Sequence, residues 1–262
     1  MNVIKFPTQS HKIALEETVN FFKKKKEVSA ITLVGSVLRN QGSYNADIDV
    51  DIFVPDKDIE HKLTNEFLPF KDKVVERLRK RGDTGKFFDI GFHVLTLPDD
   101  LAVPTRSWIS GPDYYEIIIA HFFVYCRLMF EQNKLYAKTR KKYIPYYSEK
   151  LRKKRLEETL KFCLNNIQHV EPYARRGLHI QALKRIRHAT EEFIQALFIS
   201  KKVYPLDYDK WVKYELEKIL KLPDLYRELI SIYELKKMNN ENLIIAGRKL
   251  EKLIHKYISK TI

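Results

Sequence analysis

Apolar and polar residues alternate twice in the first hundred positions, and both stretches carry acid on one side. In Asn45-Ala46-Asp47-Ile48-Asp49-Val50-Asp51-Ile52-Phe53-Val54, an extended backbone puts Asp47, Asp49, Asp51 and Phe53 on one face. Ala46, Ile48, Val50, Ile52 and Val54 fall on the other, because alternate strand residues share a face. Lys86 to Leu97 repeats the pattern, with Phe88, Ile90, Phe92 and Val94 opposite Asp89, Gly91 and His93. Ser29 to Val34 predicts a shorter strand that ends at a Gly35-Ser36 turn. The period changes to that of a helix over His11–Glu27, with Ile13, Leu15, Val19 and Phe22 as apolar positions. It does so again over Asp56–Arg81, where Pro69 predicts a break.

Pro98 to Pro112 reads as a loop and Tyr114 to Phe123 as helix, while Val124 to Phe130 fits either a last strand or more helix. After Ile144 long helical periods follow, at about Tyr146–Tyr173, Leu178–Ser200, Lys210–Leu220, Leu222–Leu235 and Asn240–Ile258. Strands mixed with helices, then helices alone, predict two regions. The expected fold class is α/β (α+β), a small mixed sheet over residues 1–143 followed by an all-α bundle over residues 144–262.

Composition narrows this picture. A chain of 262 residues, 44% hydrophobic, with 8 glycines and 10 prolines, can fill sizeable cores and leaves little for long disordered linkers. The two cysteines, Cys126 and Cys163, have no metal-ligand spacing and read as buried thiols of a reducing compartment. Met1 to Ser10 lacks a signal-peptide core, and the longest apolar stretch, Tyr115 to Phe130, is broken by Glu116, His121 and Arg127. A cytoplasmic protein without membrane contact is expected. The net charge of +14 is uneven: residues 1–110 hold 17 Lys+Arg against 16 Asp+Glu, and residues 111–262 hold 31 against 18. Solvated lysine-rich helix faces account for that excess, and so does an anionic partner, nucleic acid or a nucleoside triphosphate.

The acidic row is the main chemical signal. Close like charges repel and raise one another's pKa, so a fold gains nothing from them unless a cation sits there. Magnesium takes carboxylate oxygens and shares them with phosphates. Two-metal phosphoryl chemistry needs carboxylates bridging ions roughly 4 Å apart. Asp47 and Asp49 are expected to hold them, with Asp89 as the third carboxylate; Asp49 with Asp51 is the other pairing. The Gly35-Ser36 turn lets backbone and hydroxyl approach a phosphate, and Arg39 adds positive charge.

Gly35-Ser36, ten intervening residues, then Asp47-Ile48-Asp49 and an apolar run resemble the nucleotidyltransferase superfamily that includes DNA polymerase beta, over roughly residues 30–97. The resemblance implies that Gly35 and Ser36 hold a triphosphate and that Asp47, Asp49 and Asp89 bind metal. Asp51 stands where that family usually has an apolar residue. Ala174 to Phe198, Tyr204-Pro205 and Asp209-Lys210-Trp211 resemble the helical extension of bacterial nucleotidyltransferases. The plan of a small catalytic domain followed by helices is similar to that of the antibiotic nucleotidyltransferases.

On the helix from Leu178 to Ser200, Leu183, Ile186, Phe193 and Leu197 form a core stripe, and Lys184, His188, Glu191 and Gln195 a polar one. A solvated face explains the polar stripe; so does a general base, Glu191 or His188, for an acceptor hydroxyl. Lys210 is expected to reach the triphosphate. The resulting expectation is a magnesium-dependent enzyme moving AMP from ATP to a hydroxyl, of a small molecule in the first instance or of an RNA end such as tRNA. The rival from another class is a non-catalytic nucleotide- or nucleic-acid-binding module.

Overall fold

A computed structural model describes residues 3–98, 114–144, 148–206 and 209–258. The chain gathers into two compact units, one of Met1–Leu101 with His121–Ile144, the other of Ala102–Ala120 with Pro145–Ile262. In the first, β1 (Ala30–Leu33), β2 (Ile48–Val54), β3 (Ile90–Thr96) and β4 (Arg127–Glu131) form one sheet in the order β3-β2-β1-β4. β1 runs antiparallel to β2 and to β4, whereas β2 and β3 are parallel. The sheet is therefore mixed, as the pattern predicted. The stretch that fitted either strand or helix resolves into a π-helical turn, Ala120–Val124, followed by the edge strand β4.

Helices α1 (Gln9–Phe22) and α3 (Lys57–Arg79) pack with the aliphatic face of the strands, where Ile48, Val50, Ile52 and Val54 join Phe22, Leu63 and Phe67 in one buried core. Thr8 caps α1 and Asp56 caps α3 by accepting from backbone N–H groups one turn on. The expected break at Pro69 does not occur, and α3 runs through it. Phe67 and Phe70 on either side of the proline pack on Phe21, edge-on and tilted, at 5.1 and 4.9 Å between ring centroids. That packing offsets the one backbone hydrogen bond lost at a proline. On the other side of β2, Phe53 meets Phe122 at 5.2 Å and Tyr136 at 5.4 Å. Tyr136 belongs to α5 (Leu135–Tyr143), a helix the pattern did not predict. Its buried residues are Tyr136, Thr139 and Tyr143 rather than aliphatics.

In the second unit α8 (His179–Ser200) buries Ile186, Phe193 and Leu197 against residues of α6 (Glu149–Gln168) and of α11 (Asn240–Ile258). The long helix expected to Tyr173 is divided at His169 into α6 and α7 (Val170–Arg175). The helix expected from Lys210 is a 3-10 turn (Asp209–Trp211), one turn of α9 (Val212–Tyr214) and a π-helical stretch (Glu215–Ile219). α10 (Pro223–Tyr233) follows. α4 (Tyr114–Ile119) is counted here because fully buried Glu116 pairs with Arg155 of α6 at 3.4 Å and accepts from Gln195 of α8. Gln195 therefore leaves the exposed polar stripe expected of α8: it is 1% exposed, turned inward by this buried carboxylate. Both cysteines are free thiols. Among the described residues no helix is long and apolar enough to cross a membrane, and the loop expected at Pro98–Pro112 lies, but for Pro98, outside them.

Candidate active site

Where β1 ends, the backbone turns at Gly35 with φ +75°, a conformation that side-chain-bearing residues rarely take. The Val34 N–H donates to the Asp49 carbonyl at 2.9 Å and so locks the turn onto β2. A methyl group at Gly35 would fall 1.9 Å from Asp49 Oδ2, and one at Gly91 2.7 Å from Asp49 Oδ1. The Asp49 carboxylate thus lies in a cradle that exists only because both neighbours are glycine. Gly91 is its cross-strand partner on β3. Sequence reading placed Gly91 on the acidic face without seeing this role; only the parallel register reveals it.

Asp51, two residues on, is fully buried. His93 of β3, its register partner, donates through Nδ1 to Oδ1 at 3.3 Å, and His121 Nε2 stands 2.9 Å from Oδ2. Burial alone would raise the Asp51 pKa. The nearby His121 and His93 rings outweigh that, and the carboxyl ends below its usual range. The same bond from Asp51 raises His93 against its own burial. His121 in this role was not legible in the sequence. It sits in the π-helical turn far along the chain, where it read only as an interruption of an apolar stretch.

Asp47 and Asp89 occupy a different environment. β2 begins at Ile48 and β3 at Ile90, so each aspartate stands one residue ahead of its strand. They are drawn together by the Ile48 N–H, which donates to the Asp89 carbonyl at 3.0 Å. Loss of water contact and then the charge of Asp89 raise the Asp47 pKa, opposed by the Asp89 N–H, Lys71 and Arg79. Asp89 is itself 3.1 Å from Lys71 of α3. Buried His11 holds the preceding residue by donating from Nε2 to the Ala46 carbonyl at 3.0 Å, its Nδ1 beside the Thr8 hydroxyl at 2.8 Å. Burial lowers the His11 pKa against the opposing pull of the Ala46 carbonyl and of Asp83 and Asp47.

Ser36 is the second residue of the short α2 (Gly35–Leu38) and Arg39 caps its end, both half-buried. Glu191 lies on α8, its carboxylate 2.8 Å from Arg187 Nε. Lys210 is exposed in the 3-10 turn, with its ammonium 5.4 Å from the Trp211 ring centre. Both belong to the second unit. Among the described residues no three His, Cys, Asp or Glu side chains already converge on one metal position. The carboxylates still suit magnesium, which is held by one or two of them together with phosphate and water oxygens. Asp49 in its glycine cradle and Asp47, its pKa raised partly by a like charge, fit that mode.

Residues 15–93 match the family model described as nucleotidyltransferase domain. The match runs from α1 through the Gly35-Ser36 turn, β2 and α3 to His93 of β3, all within the first unit. A solved structure described as a nucleotidyltransferase-like protein from Exiguobacterium sibiricum 255-15 is similar over 95% of this chain and 78% of its own, with 14% identity and a TM-score of 0.42. No curated protein matches the chain.

Proposed function

We propose that the chain is a magnesium-dependent nucleotidyltransferase that moves a nucleoside monophosphate, AMP from ATP, to an acceptor hydroxyl. The observation that carries this reading is the Asp49 carboxylate seated against Gly35 of the Gly-Ser turn. It brings a carboxylate beside a backbone with no side chain in the way, as metal and triphosphate binding require. Asp47, Asp49 and Asp89 are the residues to hold metal, while Gly35, Ser36 and Arg39 receive the triphosphate. Asp51 is left out because two imidazoles already answer its charge.

Bound magnesium would neutralise the triphosphate and lower the pKa of the attacking hydroxyl. The chain's own part is positioning and charge stabilisation. The Gly35 backbone admits the phosphates and Arg39 supplies positive charge to them. Resemblance of the helical half to the antibiotic enzymes supports a small hydroxylated acceptor. The surplus of 31 basic over 18 acidic residues after residue 110 favours a second reading, an RNA end.

Pyrophosphate release with ATP and magnesium tests the proposal. Asp47→Ala and Asp49→Ala should each abolish transfer and weaken magnesium binding in calorimetry. Full activity and full affinity in either variant would show the assignment of that aspartate to be wrong. Tight ATP binding without any pyrophosphate release would identify a non-catalytic module instead.

A further inference from the structure

Residues 134–155 hold ten lysines and arginines and a single carboxylate, Glu149. Part of this run is α5, whose nine residues include Lys138, Arg140, Lys141 and Lys142 and no acid. Its inner side is set by buried Tyr136, Thr139 and Tyr143, and Arg140 donates through Nε to the Phe123 carbonyl at 3.1 Å. Lys134 at the N-cap, Lys138, Lys141 and Lys142 recur at helical spacing, so they share the outer face. All four are exposed.

Folding does not explain this stripe. Like charges one turn apart destabilise a helix by about 0.2–0.5 kcal/mol per pair. Nine residues are too few to hold a helix unaided; the buried tyrosines do so. Lys134 has φ +57° and makes no side-chain capping bond, at a place where glycine or asparagine is cheaper. Other lysines of the unit do meet carboxylates, as Lys62 does Glu27 at 2.9 Å and Lys80 Glu76 at 2.6 Å, and isolated exposed ones such as Lys57 and Lys73 do not line up as a stripe on one short helix. Lys134, Lys138 and Lys141 have no such carboxylate among the described residues. The helix is also well placed. Tyr136 packs on Phe53, two residues beyond Asp51, so α5 lies on the aspartate face of the sheet.

We propose that the lysine stripe of α5 binds the phosphate backbone of a single-stranded polynucleotide, whose terminal hydroxyl is the acceptor. The second half rests on the nucleotidyl-transfer reading above. Lys134 to Lys142 spans about 12 Å at ~1.5 Å per residue, enough for three or four phosphates at the ~3.4 Å per-strand spacing of a stacked helix. The buried apolar side of α5 leaves no exposed face for insertion into a lipid interface. In the transfer, the terminal hydroxyl oxygen bonds to the α-phosphorus and the bond from phosphorus to the bridging oxygen breaks. Pyrophosphate leaves with that electron pair, and the hydroxyl proton passes to water.

The experiment is fluorescence anisotropy of labelled single-stranded RNA and DNA of one sequence with the full chain, across a salt series without ATP. The wild type should bind with a plot of log affinity against log salt sloping by about −2 to −3, at ~0.7 per phosphate neutralised. K134Q/K138Q/K141Q should flatten that slope by about 2 and weaken binding more than tenfold at low salt. The charge-matched control K23Q/K57Q/K73Q should change it little, and thermal melts should show all three proteins folded. Absence of strand binding, an unchanged slope in the triple variant, or an equal loss in the control would overturn the proposal. So would preferential binding to polyglutamate or to phosphatidylserine vesicles. Asp49→Ala separates the two layers, because strand binding should survive it. Strand binding without strand-dependent pyrophosphate release by the wild type would remove the acceptor half. Asp49-dependent transfer to a small hydroxylated molecule without strand binding would overturn the stripe and leave the transfer reading intact.

Discussion

Asp47 and Asp51 lie on one short segment and carry the same group, yet the fold treats them in opposite ways. Asp51 is fully buried and its charge is answered by His93 and His121, which draw its pKa below the ordinary range. Asp47 stands at the mouth of the strand, its pKa raised by burial of the carboxyl and then by Asp89. The first arrangement stabilises an ionised carboxylate within the protein. The second leaves negative charge that a cation from solution would relieve. Between them Asp49 touches the glycine turn. An acidic row that reads as uniform is thus a residue paired within the protein, a residue against the glycine turn and a residue at the rim.

The largest effect expected from breaking this arrangement is at Asp49. Asp49→Ala should lower pyrophosphate release by at least about 100-fold, the order of effect of removing one charge-stabilising group, with an unchanged melting curve. Gly35→Ala should come next. Its methyl group would collide with the Asp49 carboxylate at a φ of +75°, costing about 2 kcal/mol or more of stability and most of the activity. Gly91→Ala, at 2.7 Å rather than 1.9 Å, should be milder in denaturant titrations.

The contrast between the outer aspartates is sharpened by a matched pair. Asp51→Ala leaves two imidazoles without their carboxylate and should destabilise by about 1–3 kcal/mol. Asp47→Asn removes a repulsion from Asp89 and should leave the Tm unchanged or slightly raised, while transfer falls. A Tm loss at Asp47 matching that at Asp51 would erase the distinction.

The smallest effects are in pH dependence, and the two histidines beside these aspartates should have opposite signs. His11 has a folded pKa below its ordinary 6.5. Its contribution is complete above that pH and is lost as pH falls from there towards the folded value. His93 has a folded pKa above 6.5, so its contribution is complete below 6.5 and is lost as pH rises through the folded value. Melting curves of His11→Gln and His93→Gln at about pH 5 and about pH 8 should show His11→Gln harmful mainly at the upper pH and His93→Gln mainly at the lower.

Much of this was legible in the residues. The alternation about β2 and β3, the turn at Gly35-Ser36, the long helices α3, α8 and α11 and the mixed character of the sheet all follow from period and turn chemistry, which act over a few residues. Pro69 did not break α3, because Phe21, distant in sequence, packs on Phe67 and Phe70 beside the proline and holds that helix in place. α5 was missed because tyrosines and a threonine line its buried side, and Gln195 was misjudged because its partner Glu116 is remote in sequence.

The sequence by itself determined that acid and glycine would meet at the end of a strand, since alternation and turn propensity are local. Only the tertiary structure decided which aspartate meets what. The parallel register sets Gly91 beside Asp49 and His93 beside Asp51, and the chain's return after α4 delivers His121 to the same carboxylate. The reason is physical: burial and charge pairing depend on groups brought close by packing, and local spacing cannot specify them.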